Sequence, residues 1–282
     1  MKRRRAIAVP KGVKQAAVWL KWPVLGFLLC GGQVAGMYAP FALAAVAAAG
    51  IRLPGLSAVL GVAGGAFAWM DFQSGLRCTA VALLIFAANT ALYDTALYKK
   101  VWFRPVCTAG FFLLVQSIYL LGRDSRSWLL ALCAAAAAAG AAWLPGAKLE
   151  KWGILCALAL AAVPVSAFSF SLGRALLMAL LMCLCRGCSV SQGAALGGCL
   201  GLLADLADKE PVILYAVLLG AGGAAGSFLL RRLPRLPAAV CAAGVCGGLS
   251  LLFGQDVLPV TLWECMAGAA VFAIVPERLL PQ

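Results

Sequence analysis

Histidine is absent from all 282 residues, and acidic residues number only 10. Without imidazole there is no Ser-His-Asp triad, no His-ligated metal and no histidine proton shuttle. Charge is scarce as a whole, at 12% of the sequence against 64% hydrophobic residues. A soluble domain of this length needs far more polar surface to cover its core. A Gly-rich phosphate loop, a nucleophile elbow and paired carboxylates at catalytic spacing are also missing. No catalytic, cofactor or metal site is therefore expected from these residues.

What is present is apolar sequence, running almost without pause from Trp22 to Val275. Mean hydropathy is +0.98. Thr79–Leu92, Pro105–Leu121, Trp128–Leu144 and Pro211–Leu230 approach or reach the length that crosses a bilayer's hydrocarbon core. The gaps divide the chain into segments at 22–37, 38–50, 55–71, 78–97, 103–121, 127–144, 152–168, 172–185, 190–206, 211–230, 237–253 and 258–275. Proline marks many of the boundaries, at Pro40, Pro54, Pro145, Pro211, Pro234, Pro237 and Pro276. The fold expected is an all-α polytopic transmembrane helical bundle. Twelve helices is the full count. Ten is as defensible, because the pairs around Tyr38-Ala39-Pro40 and Ser169-Phe170-Ser171 also suit kinked, tilted or re-entrant segments. The organisation expected is a basic tail at 1–21, a transmembrane domain at 22–276 and a short stub at 277–282.

The net charge of +13 would suit nucleic acid, but its placement suits a membrane. Lys2, Arg3, Arg4, Arg5, Lys11, Lys14 and Lys21 all precede the first apolar run, where they would anchor at anionic headgroups. The lipid bilayer, not nucleic acid, is the expected partner. A signal peptide over 2–36 competes, but everything downstream is also apolar. With the N-terminus inside, alternation puts that tail on the inner side together with Arg52, Lys99, Lys100, Arg104, Lys148, Lys151, Arg186, Arg231, Arg232, Arg235 and Arg278. Arg77, Arg123, Arg126, Arg174 and Lys209 fall outside. A split of 18 to 5 among the 23 basic residues predicts both termini in the cytoplasm. The outside gaps also carry Asp124, Asp205, Asp208, Glu210 and Asp256.

Twelve cysteines do not imply a disulfide framework, because most lie inside apolar runs and act there as small hydrophobes. Cys183-Leu-Cys185-Arg-Gly-Cys188 has the look of a thiolate clamp, but three cysteines without a fourth ligand make an incomplete site. Glycines recur at four-residue spacing in Gly61/Gly65, Gly193/Gly197/Gly201, Gly222/Gly226 and Gly244/Gly248. Such a face lets two helix backbones approach closely. Internal packing is preferred over a substrate path or a self-association surface. Ionisable residues inside apolar runs are the strongest candidates for local function. Glu264 lies within the last run, Asp94 near the inner end of the fourth, and Arg174 opens the eighth. Glu264 is expected to face the bundle interior and to take Arg174 as its charged partner.

Several stretches resemble the membrane region of the stage II sporulation protein E family. They are Leu25-Gly26-Phe27-Leu28-Leu29, Pro40-Phe41-Ala42-Leu43, Ser169-Phe170-Ser171-Leu172-Gly173, Gly193 to Ala204, and the last helix from Leu262-Trp263-Glu264 to Pro276. The resemblance covers about residues 20–280, and the order and spacing of the motifs agree. It implies a sporulating Gram-positive bacterium and a multi-pass protein of the asymmetric division septum. In that family about ten transmembrane helices precede a cytoplasmic linker that engages the tubulin-like division protein FtsZ. A manganese-dependent 2C-type serine/threonine phosphatase domain follows and controls activation of a forespore sigma factor. Neither linker nor phosphatase lies within these residues, so none of the family's metal-binding aspartates is assigned. The role expected is membrane anchoring, septal placement and self-association. The rival reading is a transporter or permease component, which should show internal repeats and interrupted helices around a midplane site.

Overall fold

The computed structural model describes residues 11–143, 150–167, 170–207, 213–254, 257–277 and 280. Lys2 to Arg5, Lys148, Ser169, Asp208, Lys209, Glu210, Asp256 and Arg278, all used above to argue topology or resemblance, lie outside the described residues.

The described residues form twelve α-helices. They are α1 (Lys11–Leu29), α2 (Pro40–Ala49), α3 (Arg52–Trp69), α4 (Phe72–Leu92), α5 (Phe103–Leu120), α6 (Ser125–Trp143), α7 (Glu150–Ala161), α8 (Leu172–Cys185), α9 (Val190–Ala207), α10 (Tyr215–Leu229), α11 (Arg235–Ser250) and α12 (Val257–Ile274). Proline sits where a helix tolerates it. Pro40 opens α2, while Pro54, Pro105, Pro237 and Pro259 fall in first turns, where a missing N–H costs nothing. Pro23, inside α1, is the exception.

Five helices are long and apolar enough to cross a membrane: α4, α5, α6, α9 and α11 with its following turn. That content is compatible with a multi-pass membrane protein. The outer surface agrees. Ile118, Leu129, Leu252 and Ile274 are between 61% and 80% exposed. Large apolar side chains exposed to this degree in both units are costly in water, whereas lipid tails cover them without penalty.

Several boundaries differ from the sequence reading, including the start of the fourth segment, which is Phe72 and not residue 78. The first apolar segment does not continue to residue 37. Instead α1 ends at Leu29, and Ala35 and Gly36 take positive φ, with Val34 and Tyr38 bridged across the turn. The fourth segment stops at Leu92 and not at 97, in a series of turns. The seventh stops at Ala161, shortly before Pro164, whose ring excludes further α-helix. The all-α expectation holds for the described residues, with one short irregularity between helices. A two-stranded antiparallel pair, β1 (Ser166–Ala167) and β2 (Phe170–Ser171), joins α7 to α8, with Ser166 opposite Ser171 and Ala167 opposite Phe170.

The chain divides into two compact units, one of Met1–Cys30 with Phe41–Trp143 and one of Gly31–Pro40 with Leu144–Gln282. In the first, Gly61 and Gly65 bring α3 against the backbone of α1 at Pro23 and Phe27. Asp71 caps α4 by accepting from the Ser74 N–H at 3.1 Å. In the second, α8 packs with α7, α10 and α12, and α9 lies along α10. The Gly31–Pro40 segment joins this unit through the Ala35 N–H, which donates to the Leu206 carbonyl at 2.7 Å.

Candidate functional site: a buried polar cluster

The second unit holds its ionisable groups where the N-termini of α8 and α10, the C-terminus of α9 and the first half of α12 converge. Close backbone packing builds this junction. A side chain at Gly197 would collide with the Leu219 carbonyl, and one at Gly201 with the Tyr215 carbonyl, so α9 rides directly on α10. The same logic holds at Gly268, where a Cβ would meet the Ala175 carbonyl, and at Gly173, where it would meet the backbone of α7. Glu264 lies one turn before Gly268 on the same face of α12 and is thereby carried to the start of α8.

Glu264 is 1% exposed and fully engaged. Its Oε1 accepts from the Ser171 N–H at 2.7 Å and lies 3.8 Å from the Arg174 guanidinium. Its Oε2 accepts from the Tyr215 hydroxyl. Ser171 is the N-cap of α8. Its hydroxyl accepts from the Arg174 N–H at 3.4 Å and donates to the Val163 carbonyl at 2.8 Å, tying the cap to the end of α7. The carboxylate therefore faces the positive end of the α8 dipole as well as a cation. Arg174 also stacks over the Tyr215 ring, its guanidinium carbon 4.3 Å from the centroid.

Asp205, near the end of α9, completes the cluster. It is buried, and its two oxygens accept from the Tyr215 and Ala216 N–H groups at 2.9 and 2.8 Å. A carboxylate there satisfies the first free donors of α10 and complements the dipole. Tyr215 thus touches all three charges: its N–H bonds Asp205, its hydroxyl bonds Glu264 and its ring supports Arg174.

The structure brings Glu264 and Arg174 together and adds three residues that were not read as site residues in the sequence: Ser171, Asp205 and Tyr215. One signal was available for Asp205, which takes the next four-residue step after Gly193, Gly197 and Gly201 and so belongs to the face pressed on α10. Tyr215 carried no comparable signal. Asp94 is elsewhere, exposed in the turn after α4 in the first unit. Gly193, Gly197 and Gly201 face α10 of the same chain, whereas Gly244 and Gly248 have nothing within 4 Å of where a side chain would begin.

The cysteine motif does not assemble. Cys185 donates to the Gly223 carbonyl and Cys188 to that of Leu184. Among the described residues no three His, Cys, Asp or Glu side chains are grouped to hold a metal ion.

Chemically, the cluster can do two things. Saturated with donors, it locks four helix ends together. Loosened, it would offer a carboxylate with an adjacent phenol and guanidinium inside an apolar bundle. No family model, curated protein or solved structure matches this chain.

Proposed function

We propose that the chain is a membrane-anchoring and placement domain whose buried cluster acts as a structural latch. The observation that carries this reading is the saturation of Glu264, which takes a backbone N–H, a phenol and a guanidinium. A carrier site keeps a coordination position free for its cargo, whereas a latch fills every one. The resemblance to the stage II sporulation protein E family extends the proposal: the anchor would serve the division septum of a sporulating Gram-positive bacterium. Its partners would be the lipid bilayer, a second copy of the chain and, through a linker outside these residues, FtsZ. The open face of α11 at Gly244 and Gly248 supports the self-association part.

One observation favours the transporter reading. The α7–α8 path is interrupted by Pro164 and the β1–β2 pair, and the resulting helix N-terminus points at a carboxylate, as in carriers with broken helices. Here the carboxylate belongs to the protein itself.

The two readings separate in cells. A fluorescent fusion of the chain, expressed in a sporulating Gram-positive host, is expected to gather at the asymmetric septum. Glu264→Gln should leave that pattern unchanged. Uniform membrane fluorescence would sink the septal reading. Proton-coupled uptake by vesicles bearing the wild type but not Glu264→Gln would favour the carrier.

A further inference from the structure

Away from the polar cluster, the second unit has an apolar groove of about 600 Å³, within the range of small-molecule sites. Helix α8 lines it through Ala179 and Cys183, with Trp152 and Leu155 from α7 and Val271 from α12, and Val275 just past the end of α12. Among the described residues lining it, Lys151 is the single charged one.

The groove has a defined polarity. Helices α7 and α8 are antiparallel, being joined through the β1–β2 pair, so Lys151 at the start of α7 lies level with the C-terminal end of α8. Helices α8 and α12 are parallel, because Arg174 meets Glu264 near their starts and Arg186 meets Glu277, at 3.8 Å, past their ends. Arg235 reaches the same end, donating to the carbonyls of Phe272 and Val275 at 2.8 and 2.9 Å. The groove therefore carries one cation, Lys151, at that end, beside the Arg186–Glu277 ion pair, and the rest of its lining is apolar apart from Cys183. Leu155 is 45% exposed, so the groove opens sideways to the surface and is not sealed inside. Trp152 stands beside Lys151, a pairing of amphipathic ring and snorkelling cation suited to headgroup depth.

We propose that this groove seats an acyl chain of an anionic phospholipid from the surrounding bilayer, with the lipid phosphate held at Lys151. Free phosphate would gain nothing from the apolar walls, and a zwitterionic lipid would gain less from the basic end. The inference rests on the membrane reading alone and is independent of septal placement.

The test uses the full chain purified in nonionic detergent and examined by native mass spectrometry with phosphatidylglycerol or phosphatidylcholine of matched acyl chains. One phosphatidylglycerol is expected to be retained in preference to phosphatidylcholine. Lys151→Gln should lower that retention about fivefold, the effect of one cation at a membrane surface. Leu155→Gln, at an exposed position, should weaken retention of both lipids. Lys99→Gln, in the other unit, should change nothing. Equal retention of the two lipids, or indifference to Lys151→Gln, overturns the proposal, and so does displacement of the lipid by millimolar inorganic phosphate. A chain that stays in solution without detergent removes the membrane reading and the groove together. A detergent-dependent chain with no lipid preference removes the groove alone.

Discussion

Glu264 gathers its neighbours because a carboxylate in apolar surroundings is tolerated only when its oxygens are hydrogen-bonded or paired. Removing one member of such a buried pair leaves the other charge uncompensated. In thermal unfolding in detergent, Glu264→Ala is expected to lose about 3–5 kcal/mol. Glu264→Gln also leaves Arg174 without its partner charge but should lose less, since an amide oxygen still accepts from Ser171 or Tyr215. Equal losses would mean that the charge, and not the hydrogen bonding, holds the junction. A different residue contributes to the response to acid. The Ser74 backbone N–H, bonded to Asp71 at the start of α4, holds that carboxyl below its ordinary value of 3.8. Because the folded pKa is the lower one, this contribution is complete above pH 3.8 and is lost as pH falls through the folded value. Asp71→Ala should cost about 1 kcal/mol near neutrality, typical of an N-cap. The difference from wild type should vanish in strong acid. A difference that is independent of pH would refute the cap.

Among the elements, the glycine-bearing helices carry the clearest contrast. Gly197 has a carbonyl of α10 where its side chain would stand, while Gly248 faces open surface. Gly197→Leu must push two backbones apart and is expected to destabilise by at least the 1–3 kcal/mol typical of overpacking. Gly248→Leu should stay within about 0.5 kcal/mol of the wild type, as surface changes do. If α11 is a self-association face, Gly248→Leu should nonetheless weaken disulfide crosslinking through Cys241, which is exposed one turn before Gly244 and Val245. Cys241→Ser supplies the control. Crosslinking unchanged by Gly248→Leu would place self-association elsewhere. Helix α8 was legible in full, since Ser171 supplies a cap and Arg186-Gly187 ends the apolar run. The end of α7 was not. Val163 to Ser171 was read as part of an apolar run with an irregularity at Ser169-Phe170-Ser171, and neither that nor Pro164 specified the β1–β2 pair.

For the whole molecule, charge asymmetry makes the sharpest statement. The 18-to-5 split of basic residues predicts cytoplasmic termini and a cytoplasmic Arg231-Arg232-Leu233-Pro234-Arg235 loop. A reporter active only outside the cytoplasm should stay silent when fused after Arg278. Strong activity there would mean an odd number of crossings. The helix lengths add a constraint. Helices α2, α7 and α8, at 10, 12 and 14 residues, are shorter than the ~20 residues of a full perpendicular span. Reporter fusions at Gly50 and at Gly187 therefore test whether each of these helices crosses or only enters the membrane.

The sequence by itself determined the class of fold. With 64% hydrophobic residues, charges confined to short gaps and apolar runs of helical length, helices that satisfy their own backbone hydrogen bonds are the expected elements. The order of the apolar runs also predicts Glu264 and Arg174 on the same side, because alternating crossings return to one side every second helix. Tertiary structure alone decided what surrounds them. Tyr215 acquires its role from the register of α10 against α9, set by backbone contact at Gly201 and by the grip of Asp205 on the first N–H groups of α10. Such a register depends on which glycine meets which carbonyl across two helices, a relation between distant residues that no local pattern in the chain encodes.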